Sequence, residues 1–168
     1  YANREGYEGI KNIFTIHNIQ YQGVYGKEIL GDVFGLGEQH EQLLDFGGTL
    51  NLMKGAIECA DVVTTVSPTY AREICTAEFG YGLEGVLRDR GSDLSGILNG
   101  VDYTVWNPDD PAIASPYRAD DLAGKNVCKL ALQRELGLSM GAVGPLFVVV
   151  SRLFMQKGMD LLLAALPD

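Results

Sequence analysis

Four short runs rich in aliphatic and β-branched residues punctuate the chain, at residues 12–16, 61–66, 94–98 and 146–150. Runs of this length bounded by polar residues or glycine read as strands buried on both faces, as in a parallel sheet. Between them the apolar positions shift to a helical period. Leu50, Met53, Ile57 and Ala60 recur at helical spacing and predict a helix over residues 49–60. Gly55 inside it costs stability relative to alanine, so close packing against a neighbour is expected there. Ser67 and Pro68 are the favoured residues for the N-cap and first position of the next helix, which runs through Tyr70, Ile74 and Ala77 to about Phe79. A short helix over residues 83–88 leads into the third strand. Asp120 or Asp121 caps a longer helix ending near Leu136, with Gly137 as its stop signal, and residues 159–166 form a last one. The glycine-punctuated segment 21–48 carries weak helical content only around residues 37–44. Strands alternating with helices give the α/β class with parallel sheets.

Composition narrows what such a fold can serve. Of the 168 residues 46% are hydrophobic, enough for a real core and against a disordered segment. After Val101 the texture changes: Pro108, Pro111 and Pro116 surround the acidic Asp109-Asp110. We read residues 101–117 as a linker between domains at 1–100 and 118–168. A formal net charge of −9 argues against nucleic acid or an anionic membrane as partner. No apolar run approaches the length of a membrane span, and no signal-peptide pattern opens the chain. Cys59, Cys75 and Cys128 lack metal-ligand spacing, and an odd count suits a reducing compartment, so they are expected to be small buried apolar residues. A chain beginning with Tyr1 and stopping at Pro167-Asp168, just after a helical pattern starts, reads as a segment of something larger.

Candidate chemistry collects at the ends of the predicted strands: His17-Asn18, Ser67, Asn99 and Arg152. Open α/β sheets bind ligands beyond the carboxyl ends of their strands, so the coincidence outweighs any single member. Arg152 and Lys157 share a strand-to-helix loop, where two cations beside a helix amino terminus suit a phosphate. Ser67 is explained as a helix cap, and Asn99-Gly100 is equally readable as a turn. Residues 80–85 match G-x-G-x-x-G, but a helix precedes them where a dinucleotide site needs a strand, so a tight helix-to-helix connection is the better reading. The pairs Asp109-Asp110 and Asp120-Asp121 fit linker solvation and helix capping rather than a metal site, and His40 has no role.

Five stretches together resemble bacterial glycogen synthase and plant starch synthase, in that family's order and spacing. They are Thr15-Ile16-His17-Asn18-Ile19-Gln20-Tyr21-Gln22-Gly23, the run from Thr65 to Ile74, Tyr81-Gly82-Leu83-Glu84-Gly85, Leu98-Asn99-Gly100-Val101-Asp102, and Ser151-Arg152 to Gly158. The resemblance implies two facing Rossmann-like doubly wound domains, the GT-B glycosyltransferase architecture, with the active site in the cleft between them. The family's amino-terminal Lys-x-Gly-Gly loop, its later glutamate and its Gly-rich loop have no counterpart here. The chain is therefore expected to hold the second half of the first, acceptor-side domain and the start of the second, nucleotide-sugar-binding one. Implied too is transfer of glucose from ADP-glucose to the non-reducing end of an α-1,4-glucan, with retention of configuration and without metal or cofactor. By motif, His17 sits beside the transferred glucose, Asn18 lines the same pocket, Asn99 lies near the sugar at the domain crossover, and Arg152 and Lys157 grip the donor's diphosphate. His17, Arg152 and Lys157 are then the expected catalytic residues, and Asn18 and Asn99 bind substrate with the two cations. The implied compartment is the bacterial cytoplasm or, in a plant, the plastid stroma.

Two further readings stay open. One is another GT-B glycosyltransferase such as sucrose synthase, which the run His17-Asn18-Ile19-Gln20-Tyr21-Gln22-Gly23 disfavours. The other is a non-catalytic module that binds a nucleotide sugar or glucan.

Overall fold

The computed structural model of the protein describes residues 5–140 and 144–166. Its elements run β1 (Ile13–Ile16), β2 (Val24–Tyr25), α1 (Ile29–Asp32), α2 (Glu41–Leu44), β3 (Asp45–Phe46), β4 (Thr49–Asn51), α3 (Leu52–Cys59), β5 (Val62–Thr65), α4 (Pro68–Glu73), α5 (Glu84–Asp89), β6 (Leu94–Gly96), α6 (Ala123–Glu135) and α7 (Met159–Ala165). The chain divides into two compact units, Tyr1–Gly100 and Val101–Asp168.

In the first unit β1, β5 and β6 form a parallel sheet in that order, with Ile13 opposite Val62 and Val63 opposite Leu94. The α/β class read from the alternating pattern is present. The core against this sheet joins Ile16, Ile19, Met53, Ile57, Ala60, Val63, Ile74, Leu83 and Leu87, all buried. Burying one such aliphatic side chain contributes about 1.5–3 kcal/mol. Gly55 is close-packed as expected, because a Cβ there would overlap Leu44 Cδ2. Gly96 is equally constrained, since a Cβ there would overlap the backbone of Ser67.

Several boundaries differ from the sequence reading, and the third strand ends at Gly96 rather than at residue 98. Residues 49–51 are not the first turn of a helix but the central strand of a small antiparallel sheet, ordered β2-β4-β3. Leu50 satisfies both periods, and its pairing and burial with Leu30 and Leu44 settle the matter. The helix then starts after Asn51, whose side chain accepts the Lys54 N–H at 2.9 Å as an N-cap. Lys54, almost buried, donates from Nζ to the carbonyls of Gln42 and Leu43 at the end of α2 and pairs with Glu58 at 2.8 Å. Those carbonyls would otherwise be orphaned by the end of the helix. The helix opened by Ser67 stops at Glu73 rather than near Phe79, although its cap is as expected: Ser67 Oγ accepts the N–H groups of Thr69 and Tyr70 at 3.2 Å.

In the second unit α6 begins two residues after Asp121, whose carboxylate accepts the Ala123 N–H at 3.0 Å. Gly137 follows it in the left-handed conformation. Before α6, residues 102–112 fold through a series of local turns in which the side chains of Asp102, Asn107 and Asp110 each accept an N–H two residues on. The expected fourth strand is absent: residues 146–150 are not in a strand, and Phe147 and Val150 are 87% and 92% exposed. A parallel strand needs hydrogen-bonding neighbours, and among the described residues this unit contains no strand to supply them. The cysteines also depart from expectation. Cys59 is exposed, whereas Cys75 and Cys128 are half-buried and donate to the Ala71 and Ser115 carbonyls. Burial pushes the Cys75 thiol up despite the opposing effect of Arg88.

Candidate functional site

Because β1, β5 and β6 run parallel, their carboxyl ends share one edge of the sheet. His17 follows β1 directly, Ser67 lies just beyond β5, and Asn99 lies three residues beyond β6. The edge is firmly built. Thr65 Oγ1 donates to the Ile16 carbonyl at 2.7 Å, and the Ile97 N–H continues the ladder to the Thr65 carbonyl at 2.8 Å. Thr15 and Thr64 join their hydroxyls at 2.8 Å one step behind.

On this frame the loop after β1 is held at nearly every residue. Asn18 accepts the Gln20 N–H on its side chain at 3.0 Å and the Tyr21 N–H on its carbonyl at 3.3 Å. Ile19 is buried, and its N–H donates to the Tyr70 hydroxyl at 3.1 Å. His17, at the head of the loop, is exposed, and its imidazole has no hydrogen-bond or ion-pair partner among the described residues. Asn99 is likewise exposed. A fixed backbone carrying a free imidazole suits a ligand-facing group, since its donors and acceptors are not spent inside the protein. Ser67 is instead occupied as the α4 cap.

At the opposite edge of the same sheet charged groups pair within the protein. Asp61 accepts the Asn12 N–H at 2.8 Å and pairs with Lys11 at 2.8 Å. These two contacts hold the Asp61 carboxyl below its ordinary range, the Asn12 amide contributing most, and the same pairing raises Lys11.

Arg152 and Lys157 belong to the second unit and share the loop before α7, but no strand precedes that loop as the sequence reading expected. The Arg152 carbonyl accepts the Phe154 N–H at 2.9 Å, Met155–Lys157 form a single 3-10 turn, and Gly158 turns left-handed into α7. Both cationic side chains are exposed without an acidic partner among the described residues. The loop thus offers two unneutralised charges, the condition for binding a polyanion. The unit's cleft, of about 530 Å³, lies elsewhere: Tyr117, Lys125, Cys128, Lys129 and Leu132 line it with the turn at Gly144-Pro145. Lys125 sits over the Tyr117 ring at 5.1 Å, a cation–π contact that no motif in the sequence marked.

The sequence reading missed the residues that hold the first loop, Tyr70 and Tyr81. Gln20 donates to the Tyr81 hydroxyl, and Gln22 donates to the Tyr81 carbonyl at 3.0 Å. Their only signal was that both lie in stretches that resembled the family. Among the described residues no group of three or more His, Cys, Asp and Glu side chains could hold a metal ion, and no helix is long and apolar enough to cross a membrane.

Residues 1–89 match the family described as the starch synthase catalytic domain. The chain is 52% identical over 159 residues to a glycogen synthase of Leptothrix cholodnii, covering 93% of this chain and 32% of that protein. It is likewise 52% identical to a glycogen synthase of Myxococcus xanthus, covering 94% and 33%. Among solved structures it is similar to the catalytic domain of starch synthase IV from Arabidopsis thaliana, bound to ADP and acarbose. That match has a TM-score of 0.84 at 40% identity and covers 98% of this chain and 35% of that one. The chain therefore spans about a third of the length of the curated relatives it matches.

Proposed function

Since the chain belongs to the starch synthase catalytic-domain family, we propose that it is part of a glycogen or starch synthase. The reaction is transfer of glucose from ADP-glucose to the non-reducing end of an α-1,4-glucan, with retention at the anomeric carbon. Residues 1–100 supply part of the acceptor-side domain, residues 101–117 cross between domains, and residues 118–168 begin the nucleotide-sugar-binding domain of a GT-B enzyme. The observation that carries the reading is the His17 imidazole, exposed and without a partner among the described residues, on a pinned loop at the carboxyl ends of a parallel sheet. The relatives' names and the ADP and acarbose bound to the Arabidopsis enzyme support the substrate class.

In this mechanism charge grows on the departing ADP as the glycosidic bond breaks. Arg152 and Lys157, which have no acidic partner among the described residues, stabilise that charge through their cations, and a low local dielectric strengthens the attraction. His17 and Asn18 contact the transferred glucose, and Asn99 lies near the sugar on the same sheet edge. The sugar is thereby held where the acceptor hydroxyl reaches the anomeric carbon.

The test is made on a full-length synthase carrying this segment. Arg152→Ala and Lys157→Ala should each lower kcat far more than they raise the donor KM. Loss of one such group costs on the order of 3 kcal/mol, roughly a hundredfold in rate. Near-wild-type kcat in both variants refutes the assignment. Donor binding retained without turnover in the unaltered protein favours a non-catalytic binding module instead.

A further inference from the structure

Tyr81 is the one non-glycine among the described residues with positive φ, at +49°. A bulky side chain in the left-handed region is uncommon and strained, so something must compensate. Core packing does not, since the residue is 52% exposed. What the conformation achieves is a bridge. Tyr81 stands between Gly80 and Gly82 in the connection from α4 to α5, and it takes Gln20 on its hydroxyl and Gln22 on its carbonyl. Gln22 also accepts from Asn51 Nδ2 at 2.7 Å, and Asn51 caps α3. The loop that begins at His17 is thus tied to the α4–α5 connection and to α3, well outside its own strand.

We propose that Tyr81 is a positioning residue for the reaction: held in a strained backbone, it clamps Gln20 and Gln22 and so fixes the loop that presents His17 and Asn18. This rests on the role proposed for His17. Strain kept at an exposed residue persists where the surrounding bonds over-determine it, which is how active sites are preorganised. The clamp acts on geometry rather than on ligand affinity, so its loss slows turnover and leaves substrate binding alone.

The experiment compares Tyr81→Phe, Gln20→Leu and the double variant in a full-length synthase carrying this segment. Tyr81→Phe keeps the ring and the backbone carbonyl but removes the acceptor for Gln20. Misplacement of a site group by a fraction of an ångström slows catalysis, so kcat should fall about five- to tenfold, with KM for glucan and for ADP-glucose within about twofold. As an exposed substitution it should leave the thermal midpoint within about 2 °C. The double variant should be no slower than the slower single one, because both break the same contact. Overturning results are kcat within twofold of the parent, multiplicative losses in the double variant, a raised KM at unchanged kcat, or kcat falling together with the thermal midpoint. His17→Ala run alongside separates the two ideas. If it is inactive while Tyr81→Phe is normal, only the clamp fails; if it is fully active, the role of His17 fails and the clamp with it.

Discussion

Residues 62–65, Val-Val-Thr-Thr, and residues 146–150, Leu-Phe-Val-Val-Val, carry the same kind of strand-forming sequence. The first is the central strand of a parallel sheet, flanked by β1 and β6, and Val63 and Thr65 are fully buried. The second is the more apolar of the two, yet it is not a strand and its side chains are largely exposed. Propensity is satisfied in both. What differs is neighbours: β5 has a strand on each side and α3, α4 and α5 nearby in sequence to cover it, whereas residues 146–150 have one helix before and one after. A strand whose two faces and two edges lack partners gains no ladder bonds and little burial. An apolar run therefore marks where a strand belongs without supplying the sheet that makes it one.

The largest effect to expect from this contrast is on activity. This 168-residue chain should release no ADP from ADP-glucose plus glycogen above a blank, whereas a full-length synthase carrying the same segment should. Arg152 and Lys157 follow an apolar run that forms no strand among the described residues, so no sheet fixes them for transfer. Radiolabelled glucose in precipitated glycogen, made by the purified chain alone, would contradict both the comparison and the role given to the second unit.

Stability should divide along the same line. Ile16→Ala removes a buried side chain of the first unit and should cost about 2–5 kcal/mol in denaturant unfolding of this chain. Phe147→Ala, at an exposed position, should change stability by less than about 0.5 kcal/mol. A loss of comparable size in both would mean that residues 146–150 are packed in solution. Native-state hydrogen exchange sharpens the contrast, with slow amides expected in β5 and fast ones at 146–150.

The smallest effect concerns the closed edge of the first sheet. The Asp61 carboxyl is held below its ordinary range by the Asn12 N–H and by Lys11. Its contribution is therefore present above the unfolded aspartate pKa and is lost as pH falls through the lower folded value. Lys11, raised by the same pairing, loses its share only as pH climbs through its raised value, so both are in place at neutral pH. Asp61→Asn should flatten the acid limb of the stability profile and also remove the alkaline share of Lys11, whose raised value depends on this carboxylate. An acid limb identical to the parent's would show that the contact is not formed.

Much of the first unit could be read from sequence because its signals are local. The apolar runs that mark the strands at 13–16 and 62–65 and the Ser67-Pro68 cap each depend on residues a few positions away. The small antiparallel sheet could not be read that way: its strands are two or three residues long, and Leu50 fits a helical and an alternating period equally well. Of the candidate site, His17, Asn18 and Asn99 were legible as polar residues at strand ends. Tyr70 and Tyr81 were not, because their contacts to Ile19, Gln20 and Gln22 span about fifty to sixty residues of chain.

By itself, then, the sequence determined the α/β alternation, the Ser67 cap and the polar residues at the strand ends of the first unit, all consequences of short-range sterics and hydrogen bonding. Only the tertiary structure decided that residues 49–51 pair rather than coil, that residues 146–150 stand exposed, and that a strained tyrosine reaches across to the His17 loop. The physical reason is common to all three: pairing, burial and clamping are free energies of contact between distant segments, and no local propensity encodes which partner arrives.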